Sequence, residues 1–193
     1  MTAIFTQFWK TKPCLTSISP EIAIPEFVTI DNWDAAGSIF TDSNHMLAGY
    51  QPNKSLPYIC GIGGSSNTSE AYMTTILRET IEELLNIDEV PTGLIQTIEA
   101  TIPPQKIVQN GAYVIAIYTF DDLEKMLRKI KAYPLKSNLY KTIPTTLTEL
   151  ILKRNVNHPS KPEISHLAII PVINYESTNI ISKYLVDDMK FII

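Results

Sequence analysis

The fold is decided by the stretch from Gly64 to Asn86, which has the sequence GSSNTSEAYMTTILRETIEELLN. From residue 69 to residue 84 its apolar side chains recur with the period of an α-helix, which turns by about 100° per residue. One stripe of this predicted helix is apolar and consists of Met73, Leu77, Ile81 and Leu84. The opposite stripe is acidic and consists of Glu79, Glu82 and Glu83. The sequence therefore predicts a helix that buries one side and presents carboxylates on the other.

The residues at both ends of this helix predict where it begins and ends. Ser69 stands before Glu70 and is predicted to be the N-cap, since a serine hydroxyl accepts a hydrogen bond from a free backbone N–H group of the first turn. Asn86 is predicted to close the helix, because asparagine tolerates the left-handed backbone conformation.

The acidic stripe has two interpretations. It is either a solvated face, on which Arg78 relieves the repulsion from four residues before Glu82, or a site for a hard divalent cation. Like charges at this spacing repel by roughly a few tenths of a kcal/mol, and a bound cation would reverse that repulsion. The helix by itself leaves both interpretations open.

The residues around the helix carry a resemblance to a known family. Two glycines, Gly63 and Gly64, precede a short polar loop. Six positions keep the spacing GX5EX7REUXEEXGU, in which U is aliphatic: Gly64, Glu70, Arg78, Glu79, Glu82 and Glu83. This stretch resembles the box of the Nudix hydrolase family. It departs from the box at Thr80, Leu85 and Asn86, where the family has an aliphatic residue, a glycine and another aliphatic residue.

The resemblance implies a fold and a metal site. The expected fold is α/β, a Nudix-type α/β/α sandwich with a mixed β-sheet and a catalytic loop-helix-loop. Mg²⁺ or Mn²⁺ would be bound by four groups: the backbone carbonyl of Gly63 and the carboxylates of Glu79, Glu82 and Glu83. Arg78 would orient the glutamates through an ion pair, and Gly64 and Glu70 would support the loop and the helix.

The resemblance also implies an activity. A metal-activated water would attack one phosphorus of a diphosphate in a nucleoside diphosphate linked to another moiety, such as ADP-ribose, a nucleotide sugar or a dinucleoside polyphosphate. Two alternatives stay open. One is an mRNA-decapping enzyme of the same family, a class that has viral members. The other is a Nudix-fold module that binds a nucleotide without turnover, although the intact glutamates argue against it.

A further carboxylate is expected after the box, near the last strand, because family members often carry one there. Glu163 is the first candidate, since it lies just upstream of a predicted strand. Glu149 is the second candidate, and Asp121 and Asp122 are the third. The alternative for each is an ordinary surface or capping acid. The general base would be either this carboxylate or one glutamate of the stripe.

Positive charge is concentrated in residues 124–141, which favours the decapping alternative. The predicted RNA or phosphate patch has four members: Lys125, Arg128, Lys129 and Lys131. Lys136 and Lys141 follow with two tyrosines, and such a mixture of bases and aromatic rings suits single-stranded RNA. The other interpretation is a solvated basic helix face. Pro103 and Pro104 stand where many ADP-ribose hydrolases have a marker proline, but a plain turn is the preferred interpretation.

The chain is predicted to form one domain with an appendage. Residues 1–27 are expected to be an N-terminal extension packed on a Nudix hydrolase domain of residues 28–193. Apolar runs predict strands at 37–40, 45–51, 58–64, 94–102, 112–120 and 166–173. Further helices are predicted at 121–133, 145–154 and 181–189, and a loop is predicted at 103–111.

The composition fits a soluble globular protein. Hydrophobic residues make up 45% and charged residues 19% of the chain, and the net charge of -4 gives no general attraction to polyanions. Cys14 and Cys60 are expected to be reduced. The N-terminal segment lacks the apolar core of a signal peptide, so we expect a cytoplasmic location and no membrane partner. The expected partner is a nucleotide-type substrate, while capped RNA and a homodimer stay open.

Overall fold

The computed structural model describes residues 29–53, 58–157, 159, 161–173 and 180–192. The predicted N-terminal extension over 1–27 lies outside these residues. The strands are β1 (Ala35–Thr41), β2 (His45–Gln51), β3 (Tyr58–Cys60), β4 (Ile62–Ser65), β5 (Lys106–Asn110), β6 (Tyr113–Thr119) and β7 (His166–Pro171). The helices are α1 (Tyr72–Leu85), α2 (Thr92–Thr101), α3 (Phe120–Lys131), α4 (Leu147–Leu152) and α5 (Lys183–Met189).

All the strands described form one mixed sheet. Its main path has the order β3-β2-β1-β6-β5, while β4 pairs with β1 and β7 pairs with β2. The β1–β6 pair is parallel and the other strand pairs are antiparallel. On one edge, β1 has two successive partners: its first half pairs with β4 and its end pairs with β2.

Helices cover both faces of the sheet. Successive side chains of a strand point to opposite faces, and in β6 Val114 packs with the core of α1 to α4, while Ile115 packs with α5. This strand therefore lies inside the sheet, between β1 and β5, and is covered on both faces. The predicted fold class, α/β with a mixed sheet between helices, is confirmed. None of the helices described is long and apolar enough to cross a membrane.

Two predicted elements were wrong. The predicted strand at 94–102 is helix α2, whose buried residues Leu94, Ile95 and Ile98 follow the helical spacing. The isoleucines and threonines of this segment favour a strand locally, and packing against α1 and α3 overrides that preference. The predicted loop at 103–111 contains strand β5, which pairs with β6.

Helix α1 begins later and ends later than the sequence predicts. Its N-cap is Ala71, without a side-chain cap, so the prediction of Ser69 was wrong; Ser69 itself has a φ of 64°. Asn86 is confirmed as the closing residue, with a φ of 49° and its N–H donated to the Glu82 carbonyl. Leu85 is fully buried, so the helix continues through it and the left-handed residue follows one position later.

The unusual threonine of the box has polar partners in the core. The Thr80 hydroxyl donates to the Ile76 carbonyl at 2.6 Å. The Ser38 hydroxyl of β1 lies 2.6 Å from the Thr80 hydroxyl oxygen, and both residues are buried. Each hydroxyl is therefore hydrogen-bonded, which removes the penalty of a polar atom in the core.

Candidate functional site

Arg78 contacts three other residues of the box-like stretch, Glu70, Glu79 and Glu82. Its guanidinium binds both carboxylate oxygens of Glu70, each at 3.0 Å. It also donates to Glu79 at 2.6 Å, to Glu82 at 2.9 Å and to the Ser65 carbonyl at 2.8 Å. Since its side chain is only 14% exposed, these contacts are shielded from water. Arg78 therefore ties the loop before α1 to the acidic stripe of the helix.

Glu70 lies before the helix and fixes the loop. Besides Arg78, its carboxylate accepts from the Asn67 N–H at 3.1 Å and from the Thr75 hydroxyl at 2.7 Å. The hydrogen bonds from Arg78, followed by those from Thr75 and Asn67, lower the pKa of Glu70 to about 2. Glu70 is therefore an ionised structural partner of Arg78.

The two glycines hold two carboxylates against the backbone. A Cβ on Gly64 would lie 2.4 Å from a carboxylate oxygen of Glu79, so only glycine allows this approach. The Gly63 N–H donates to the Glu83 carboxylate at 2.7 Å. A Cβ on Gly63 would lie 2.5 Å from the Gly37 Cα, and its φ of +155° also favours glycine. Each of the two adjacent glycines thus has one carboxylate of the stripe against its backbone.

The electrostatics of the stripe favour a positive charge. Burial raises the pKa of Glu83 well above its ordinary value, against the Gly63 N–H, and the negative charges of Glu163 and Glu79 raise it further. Burial also raises the pKa of Glu82, against the pull of Arg78. Both groups carry their negative charge at a penalty that a cation would relieve.

Glu163 lies in the cleft beside this cluster. The cleft has a volume of about 490 Å³, and both Gly63 and Glu163 line it. The Glu163 carboxylate accepts from the Gln51 amide at 3.0 Å. The other two candidate positions lie elsewhere: Glu149 pairs with Lys153 in α4, and Asp121 and Asp122 are in the first turn of α3. Of the candidate acids, the structure brings only Glu163 to the cluster.

The donor atoms have the right chemistry for a hard cation, but their present arrangement does not surround one. Carboxylate oxygens are the ligands that Mg²⁺ and Mn²⁺ prefer. Within the described part of the chain, no three acidic, imidazole or thiol groups converge on a point that could hold a metal ion. The carboxylates do not converge because they are hydrogen-bonded to different groups: Glu79 and Glu82 to Arg78, and Glu83 to the Gly63 N–H.

Arg154 is a positioning residue that sequence reasoning missed. Its buried guanidinium donates to the Glu83 carbonyl at 3.0 Å and to the Leu84 carbonyl at 2.5 Å, at the end of α1. It also donates to the Ile164 carbonyl at 2.6 Å and to the Ser165 carbonyl at 3.1 Å. Arg154 therefore links the helix end to the segment that carries Glu163.

Tyr113 connects the cluster to the cleft. A Cβ on Gly37 or Gly63 would lie 2.0 Å or 2.2 Å from the Tyr113 hydroxyl, so the hydroxyl lies between the two glycines. Burial raises the pKa of Tyr113, and nearby carboxylates, first of all Asp188, raise it further. The group therefore stays protonated and remains a hydrogen-bond donor.

The predicted basic patch does not line the cleft. Lys125 pairs with Asp122 at 2.7 Å and Arg128 contacts Glu124 at 3.6 Å, so two of its members are engaged on their own helix. Lys131 lines a different surface depression, and Lys129 belongs to the last turn of α3. The described residues that line the cleft include none of the four.

No family model matches the chain, and no curated protein matches it. One similar solved structure is a hydrolase of the NUDIX family from Clostridium perfringens, with 10% identity over 84% of this chain and 97% of that one and a TM-score of 0.38.

A second similar structure is a bifunctional NMN adenylyltransferase/ADP ribose pyrophosphatase from Francisella tularensis, complexed with AMP and a Mn ion. Its identity is 19% over 47% of this chain, and its TM-score is 0.31. The match spans only 28% of that longer protein.

Proposed function

We propose that the chain is a Nudix-type hydrolase that depends on Mg²⁺ or Mn²⁺. Its substrate would be a nucleoside diphosphate linked to another moiety, and its products a nucleoside monophosphate and a phosphorylated remainder. The observation that carries this proposal is the placement of Glu79 and Glu83 against adjacent glycines beside a cleft. The domain would comprise residues 28–193, with residues 1–27 as an extension.

The proposed cation ligands are four groups: the Gly63 carbonyl and the carboxylates of Glu79, Glu82 and Glu83. A bound divalent ion supplies Lewis acidity for the phosphoryl oxygens and lowers the pKa of a water molecule. Arg78 would hold Glu79 and Glu82 close to their binding positions before the ion arrives, through the ion pairs at 2.6 and 2.9 Å. The loop stays fixed meanwhile, because Glu70 keeps two further hydrogen bonds with Arg78.

Glu163 is proposed as the general base. It lines the same cleft as Gly63, and its charge acts on Glu83. The Gln51 amide donates to one of its oxygens at 3.0 Å and would orient the carboxylate toward the reacting water. Tyr113 keeps its proton and would donate a hydrogen bond to a phosphoryl oxygen near Gly63.

The experiment is a substrate panel with matched variants. The purified protein is incubated with Mg²⁺ or Mn²⁺ and ADP-ribose, nucleotide sugars, dinucleoside polyphosphates, nucleoside triphosphates and cap-labelled RNA. We expect turnover of at least one compound and a loss of more than about a hundredfold in kcat for Glu83→Gln. The control is Glu99→Gln, an equivalent change on the exposed face of α2, which should leave kcat unchanged.

Two outcomes would contradict the proposal. Turnover of no compound in the panel would favour a nucleotide-binding module. Turnover that is unaffected in Glu79→Gln, Glu82→Gln and Glu83→Gln would show that the carboxylate cluster is not the metal site. Cleavage of the capped RNA alone would instead identify the decapping enzyme as the correct member of the class.

A further inference from the structure

Among the described residues, every charged side chain that lines the cleft beside the carboxylate cluster is acidic. The charged side chains that line it, among the described residues, are Asp34, Glu163 and Asp188, and none is Lys, Arg or His. Such a wall repels phosphate groups, whose charge would have to be neutralised at the Gly63 end. The part of a substrate that enters the cleft is therefore uncharged or positively charged.

The far wall of the cleft carries hydrogen-bond acceptors. The Asn110 amide donates to one carboxylate oxygen of Asp188 at 3.0 Å. No other donor to Asp188 is found in the described part of the chain, so its second oxygen is available to a ligand. Burial raises the pKa of Asp188, which means that its charge is poorly solvated. A ligand that offers N–H groups here would restore the lost hydrogen bonds.

An aromatic ring stands next to this carboxylate. Tyr184 precedes Asp188 by one helical turn, so both project from the same face of α5. Tyr184 as a whole residue is 83% exposed, although a tyrosine is normally largely buried, and it lines the cleft with Tyr58. Flat aromatic ligands stack on such rings. The volume of about 490 Å³ lies within the range of small-molecule sites.

We propose that this cleft binds the nucleobase of the substrate, and that Asp188, held by Asn110, selects guanine-type bases. Guanine presents a ring N–H and an exocyclic amino group side by side, which a carboxylate can accept together. Adenine presents an acceptor nitrogen beside its amino group, and that nitrogen would face the carboxylate. The selection rests on the proposed function only in placing the phosphates at Gly63.

The test measures binding and needs no turnover. Calorimetric titrations of the full chain in EDTA use guanosine, inosine and adenosine as probes, because these nucleosides carry the base without a phosphate that the acidic wall would repel. We expect guanosine to bind at least about tenfold more tightly than adenosine, and inosine, which lacks the amino group, to lie between them. Equal affinities for guanosine and adenosine, or no detectable binding of either, would overturn the proposal.

Two variants of α5 separate recognition from folding. Asp188→Asn should lower the affinity for guanosine by about ten- to a hundredfold and leave that for adenosine nearly unchanged. The matched control is Asp187→Asn, because Asp187 pairs with Lys190 at 2.8 Å and does not line the cleft. A guanosine preference that persists in folded Asp188→Asn would refute the role of Asp188.

The outcome is independent of catalysis. If guanosine binds as expected and no substrate is cleaved, the proposed hydrolase function fails and the base selection stands. If guanine and adenine compounds are cleaved equally well and bind equally well, the hydrolase function stands and the base selection fails. Binding in EDTA and turnover with Mg²⁺ thus test the two proposals separately.

Discussion

Replacing Arg154 by methionine should destabilise the protein far more than an average substitution. The variant keeps a long side chain but removes the Arg154 donor from four carbonyls, three of them buried (Leu84, Ile164 and Ser165) and one half-buried (Glu83). An unsatisfied buried acceptor costs about 1–3 kcal/mol. Part of this total cost is offset, because water can hydrate some of the carbonyls and because the variant no longer buries a charge. We therefore expect a loss of about 3–5 kcal/mol in the free energy of unfolding, a large share of a typical total.

The assay is urea denaturation followed by circular dichroism, without added metal. Lys153→Met is the matched control, because this neighbouring side chain is 64% exposed and only pairs with Glu149. It should change the free energy of unfolding by less than about 1 kcal/mol. Arg154→Lys keeps the charge with fewer donors in one plane and should lie between them. An Arg154→Met variant within about 1 kcal/mol of the wild type would refute the reasoning.

Three further predictions concern the carboxylate cluster. Arg78→Lys should lower kcat by about 10- to 100-fold with a smaller change in KM, because one ammonium cannot bind all the oxygen atoms that the guanidinium binds. An unchanged kcat would argue against the proposed positioning role of Arg78. The pKa of Glu70 is lowered from 4.5 to about 2, so its stabilising contribution is complete above pH 4.5 and lost as the pH falls toward 2. The difference in unfolding free energy between wild type and Glu70→Gln should shrink over that window, and a constant difference would contradict the ion pair. Gly64→Ala should abolish activity by displacing Glu79. The control is Gly93→Ala, which should preserve activity and stability because its added Cβ would have only one atom nearby, at 4.0 Å.

Local patterns predicted the helix and its carboxylates. The period of the apolar residues and the left-handed tolerance of Asn86 act over one or two turns, so the sequence alone contains them. Helix α2 was predicted as a strand because its local preference opposed its packing. Spacing within the box placed Glu79 and Glu83, while their contacts with the glycines became visible only in three dimensions.

Long-range partners explain what the sequence could not predict. Arg154 acts on carbonyls up to 71 positions away, and nothing in its own neighbourhood distinguishes it from the exposed Lys153. Asp188 belongs to a short helix whose period predicted its existence but not the cleft beside it. The identity of such residues depends on which distant segments the sheet brings together.

The buried hydroxyl pair between β1 and α1 has a consequence for sequence evolution. Ser38 and Thr80 satisfy each other 42 positions apart, at 2.6 Å. If a valine replaced only Thr80, Ser38 would lose its partner in the core, and a change at Ser38 alone would remove a hydrogen bond from Thr80. Replacing both by apolar residues of similar volume is nearly neutral. Positions 38 and 80 are therefore expected to covary among relatives, so an aliphatic residue at 80 should occur together with a nonpolar residue at 38.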